Sequence, residues 1–98
     1  MSPQPCTLCG RLTPPEHQEE HHLVPRAKGG TETITVCRNC GDQVHRLFSL
    51  EELAREYHTV ERLRTHPDMQ RWILWVRRQR GFEFAMKTKK KRRRQSGR

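Results

Sequence analysis

Ninety-eight residues, only 32% of them apolar, suffice for one small domain with a thin core and exclude two domains of ordinary size. No run approaches the ~20 apolar residues of a membrane span, and the start MSPQPCTLCG lacks the basic and apolar segments of an export signal, so a cytoplasmic protein is expected. The net charge of +9 is uneven: residues Lys87 to Arg98 hold eight Lys or Arg and no acid, while the rest is nearly neutral. A tail of that kind suits a polyanion such as nucleic acid.

In chain order, residues 1–5 read as a short disordered lead. Cys6-Thr7-Leu8-Cys9-Gly10 then forms a knuckle, with a glycine to turn the backbone so that amides face the sulfurs. The prolines Pro14 and Pro15 place Arg11 to Gln18 in a loop, where His17 is expected to be solvated. Glu19 to Val24 reads as a strand stopped by Pro25. Gly29-Gly30 marks a loop, and the β-branched run Thr33-Ile34-Thr35-Val36 a second strand. These are the two strand candidates, so the sheet is expected to be a bare hairpin. Past Cys40 the period turns helical, with Val44, Leu47 and Phe48 on one face. Ser49-Leu50-Glu51-Glu52 is a capping box opening a helix to about Tyr57, which would bury Leu50, Leu53, Ala54 and Tyr57. Thr59 is placed to cap a short turn carrying Val60 and Leu63. A last helix is expected from Pro67 to Arg80, ended by Gly81, with Met69, Trp72, Ile73 and Val76 inward and Leu74 and Trp75 widening that stripe. Phe82, Phe84 and Met86 are expected to tuck back. The domain is thus drawn over 6–86, with 87–98 a disordered basic tail.

Two CxxC pairs, Cys6/Cys9 and Cys37/Cys40, account for every cysteine. In a reducing compartment that spacing favours a closed Cys₄ zinc site over disulfides. A closed site has no open coordination position, so its ion is structural. Small chains of low apolar content commonly need such a staple. The adjacent His21 and His22 lie in a strand candidate, where neighbouring side chains point to opposite faces.

The segment Glu20-His21-His22-Leu23-Val24-Pro25-Arg26, with Gly29-Gly30, Cys37-Arg38-Asn39-Cys40 and His45, resembles the HNH endonuclease family. Leu47 to Arg80 resembles the helical extension of a small bacterial subgroup, so the likeness covers about residues 5 to 80. It implies a small α+β fold: a ββα-metal (His-Me finger) hairpin and helix around one divalent ion, stapled by the Cys₄ site and followed by two or three short helices. It implies His22 as general base, and His21 and His45 as ligands of a catalytic Mg²⁺, Mn²⁺, Ni²⁺ or Zn²⁺. The sequence departs from the family at Gly41, where a histidine or asparagine ligand normally follows the last knuckle cysteine. Either Asp42 substitutes with an oxygen ligand or the metal holds extra waters. It departs again at Glu32, which stands near the place of an asparagine that braces the hairpin loop. Phosphate contacts are expected from Arg26, Arg38 and Arg46 and from the tail residues Lys87, Lys89, Lys90, Lys91, Arg92, Arg93 and Arg94.

The expected function is a metal-dependent DNA endonuclease, a monomer or weak dimer with DNA as partner. The alternative is a catalytically impaired, zinc-stabilised nucleic-acid-binding module, a consequence of Gly41. A third reading is a zinc-ribbon adaptor that presents the Trp72 and Trp75 helix to a protein partner. His58 and His66, at helix junctions, are expected to act as caps or surface groups.

Overall fold

The computed structural model describes residues 2–83. Its elements are β1 (Gln4–Pro5), β2 (Leu12–Thr13), β3 (Gln18–His22), β4 (Thr33–Cys37), α1 (Arg38–Leu47), α2 (Leu50–Arg55), α3 (Val60–Thr65) and α4 (Pro67–Val76). This is a small α+β domain: two antiparallel ribbons, then four helices.

Residues Gln4 and Pro5, expected in a disordered lead, instead pair with Leu12 and Thr13. The knuckle between them forces this return. Gly10 N donates to Cys6 O at 2.8 Å and Cys6 N to Arg11 O at 2.9 Å, which folds the chain back on itself. Thr7 N donates to Thr35 O, tying the knuckle to β4.

β3 and β4 form the expected hairpin, with Glu19 opposite Val36 and His21 opposite Ile34. Gly29 closes a 3₁₀ turn over Arg26–Lys28 at φ +89°, a left-handed backbone that favours glycine. Gly30 is held to glycine by contact, because a Cβ there would collide with the Val24 carbonyl.

α1 begins at Arg38, three residues earlier than its apolar period suggests. Cys37 is the N-cap in extended conformation, so Cys40 lies inside the first turn. Ser49 and Glu52 make the reciprocal capping box at 3.1 and 2.8 Å. Thr59 caps α3, and His66 caps α4 by accepting from Asp68 N. Leu53, Leu63, Met69 and Val76 are fully buried with Val36, Val44 and Leu8, and Trp72, Ile73 and Phe48 complete the core.

Several expectations fail here. Leu50 stays 44% exposed because it is the first residue of α2 and faces the open side of the hairpin loop rather than the core. Leu74 and Trp75 do not widen the apolar stripe; they remain 63% and 44% exposed. α4 stops at Val76 rather than Arg80. Arg78 N and Gln79 N turn back to Trp75 O and Val76 O, tightening the chain out of helical register. The Arg11 guanidinium then takes the carbonyls of Gln79 and Gly81 at 3.2 and 2.7 Å and lies 4.0 Å over the Phe82 ring. His17 stacks on that same ring at 5.0 Å, so it is packed rather than solvated. Phe84, Met86 and the basic tail lie outside the described residues. Among the described residues no helix is long and apolar enough to cross a membrane.

Candidate functional site

The four cysteines meet as the two CxxC spacings require. Their sulfurs all lie within 4.8 Å of one another, and all four residues are buried and free of disulfides. Zinc–sulfur bonds of ~2.3 Å in a tetrahedron separate sulfurs by roughly 3.8 Å, so the cage fits that ion. Its surroundings favour thiolate. Cys37 and Cys40 sit at the N-terminus of α1, whose dipole stabilises negative charge. Cys9 N and Arg11 N point at the sulfurs of Cys6 and Cys9 at 3.4 and 3.5 Å, and Trp72 Nε1 points at Cys40 Sγ at 3.4 Å. Hydrogen bonds from Cys37 and Cys40 lower the Cys6 and Cys9 thiols, Cys9 to about 7, while the neighbouring thiols and burial push Cys37 and Cys40 up, so without a cation the four share protons. The cluster thereby joins the first ribbon, the end of β4 and the start of α1.

One turn further along α1 a second set of groups faces the hairpin. Gly41 and His45 are four residues apart on one helical face. Opposite them, Glu19 and His21 are two residues apart on one face of β3. The repeats match: two strand residues rise ~6.6 Å and four helical residues ~6.0 Å. The His21 ring stands 5.5 Å from the His45 ring, centroid to centroid, tilted by 59°. His21 is 4% exposed, and its Nε2 is buried with no hydrogen-bond partner. Burial first, then the nearby His45 and His22, hold its pKa down at about 4, so it is neutral at physiological pH. Glu19 reaches into the space over Gly41, where a Cβ would meet its Oε1. Burial and the Asp42 carboxylate push the Glu19 carboxyl above its usual range, against the pull of Arg38 and His45.

These groups border a cleft of about 230 Å³ lined by Glu19, His21, His22, Arg26, Gly41 and His45, among others. Of the residues singled out in the sequence, His21, His22, His45 and Arg26 share it. Asp42 does not line the cleft and is exposed on α1. Arg38 is exposed near Glu19, and Arg46 is exposed outside the cleft lining. Among the described residues, the cysteines are the one set of three or more such side chains gathered within 4.8 Å; the imidazoles and Asp42 form no second set of that tightness. Sequence reasoning missed Glu19. Its signal was the period-two spacing to His21, set against a glycine on the facing helix.

Comparison with known proteins gives one informative match. The chain is 39% identical over 87 residues to "Uncharacterized protein YisB" of Bacillus subtilis (strain 168), covering 87% of this chain and 84% of that protein. The chain belongs to the YisB family. No family model matches it, and no solved structure matches it. The YisB relationship extends over nearly the whole of both chains, so it embraces the domain as a unit rather than a shared motif.

Proposed function

We propose that the protein is a metal-dependent endonuclease of the HNH type that hydrolyses DNA phosphodiester bonds, with β3, β4 and α1 as its ββα-metal unit. The observation that carries this reading is the buried, unpartnered Nε2 of His21, whose ring lies 5.5 Å from that of His45 beside a cleft that His22 also lines. An orphaned buried nitrogen is costly unless something binds it. A neutral imidazole in that position is a metal ligand in waiting. When bound, a divalent cation supplies charge neutralisation for the phosphate oxygens and the leaving group. His22, the partly exposed neighbour on the same cleft, takes the proton from the attacking water at an imidazole nitrogen. Arg26 at the cleft edge holds a phosphate oxygen. The basic tail adds affinity without reading sequence.

A test is conversion of supercoiled plasmid in Mg²⁺, Mn²⁺ or Ni²⁺. His22→Ala should slow it by about 10²–10⁴-fold while far-UV circular dichroism stays unchanged. An unchanged rate overturns the assignment.

The second reading, a zinc-stabilised DNA-binding module that does not cut, is favoured by a single observation: the imidazoles and carboxylates of the cleft are less tightly gathered than the sulfurs. It predicts DNA binding with no metal-dependent nicking by the parent, and no change in any measurable activity on His22→Ala.

A further inference from the structure

The geometry points to Glu19, whose carboxylate occupies the space left open by Gly41, as the third protein ligand of a divalent cation held by His21 and His45. This inference rests on the reading above and deepens it. The facing pairs put a donor at three of four corners: Glu19 and His21 on β3, His45 on α1. At the fourth corner Gly41 has no side chain, and the Glu19 carboxylate fills that volume. A donor from the strand thus stands where a residue at 41 would otherwise place one from the helix. Asp42 is the weaker candidate. It follows Gly41 by one residue, about 100° around the helix, and does not line the cleft.

His21 is the fixed member, buried with Nε2 unpartnered. Glu19 keeps its carboxylate over Gly41, and the exposed His45 side chain rotates toward it and His21 to gather the donors. Two imidazoles and one carboxylate favour borderline cations such as Ni²⁺ or Zn²⁺, admit the harder Mn²⁺ through the carboxylate, and leave positions open for water and a phosphate oxygen. Gly41 is then required as glycine for a stated reason: any Cβ displaces the carboxylate.

The test is titration of the zinc-loaded full chain with Mn²⁺, read as free Mn²⁺ by electron paramagnetic resonance. Zinc content and circular dichroism verify the fold of each variant. Glu19→Gln should weaken Mn²⁺ binding by roughly 10–100-fold. Gly41→Ala removes no donor, yet it should weaken Mn²⁺ comparably by pushing Glu19 aside. The double variant should lose no more than the larger single loss. The proposal is overturned if Glu19→Gln retains parental affinity, if Asp42→Asn costs more than Glu19→Gln, or if the zinc-loaded parent takes up no Mn²⁺. Glu19-dependent Mn²⁺ binding with an uncut plasmid would support this site and refute the nuclease reading.

Discussion

Removing zinc from the sulfur cage should unfold the domain rather than loosen it. The cage holds the N-terminal ribbon, the hairpin and α1 together by side chains of both halves: Cys6 and Cys9 from one, Cys37 and Cys40 from the other. About 80 residues at 0.05–0.15 kcal/mol each carry a net stability of roughly 4–12 kcal/mol. Structural zinc in comparable small sites contributes about 10–16 kcal/mol near neutral pH. The ion's share therefore equals or exceeds the whole. The cage interior also makes the loss abrupt, because Cys37 and Cys40 are fully buried and Trp72 directs its indole N–H at Cys40 Sγ. Four uncompensated thiols in that position must either share protons or expose themselves to water. The assay is far-UV circular dichroism during titration with a tight chelator under reducing conditions, with zinc measured by atomic absorption. One zinc per chain and a cooperative loss of ellipticity as it leaves are expected, with recovery on zinc return. A zinc-free chain that keeps its ellipticity and its thermal midpoint would refute the reasoning.

Leu63 is fully buried between α3 and the rest of the core, so Leu63→Ala should cost about 2–5 kcal/mol in urea unfolding of the zinc-loaded chain; a cost below ~1 kcal/mol would mean the site collapses. Truncation after Met86 removes eight positive charges and should flatten the log–log salt dependence of DNA affinity by up to ~7, while metal-dependent chemistry persists; an unchanged slope at moderate salt counts against a role for the tail. His21 gives a pH dependence of definite sign. Its folded pKa of about 4 lies below the usual 6.5, so the unfolded chain binds the proton first. Stability is therefore fully present above about pH 6.5 and is lost as pH falls toward 4, by up to about 3 kcal/mol. In zinc-loaded protein, His21→Gln should flatten that limb relative to the parent, and equal slopes would show that His21 does not set it.

What the sequence made legible is what short-range chemistry decides. The CxxC spacings brought four sulfurs together, Ser49 and Glu52 made their capping box, and the TITV run formed a strand. The stripe Met69, Trp72, Ile73 and Val76 faces inward as its period requires. What stayed hidden depends on partners distant in sequence. The end of α4 is decided by Arg11, about seventy positions away, which captures the carbonyls of Gln79 and Gly81. The packing of His17 is decided by Phe82. The early start of α1 follows from Cys37 being drawn into the cage, which puts a cage cysteine at the N-cap position.

That early start also links the cage to the cleft. Cys37, Cys40, Gly41 and His45 belong to one rigid helix, so the rotation that seats two sulfurs at the cage also sets which face of α1 meets β3. With Cys40 turned toward Trp72, Gly41 necessarily lies against Glu19 and His45 near His21, because each residue advances the helix by a fixed ~100°. The hairpin register fixes the other side, since Glu19 pairs with Val36 and His21 with Ile34 on the strand that ends at Cys37. The sulfur cage thereby sets the spacing of the cleft side chains, none of which belongs to the cage. Partial loss of zinc should accordingly remove Mn²⁺ binding in step with the loss of α1, and a cleft that still bound Mn²⁺ in the zinc-free chain would break that link.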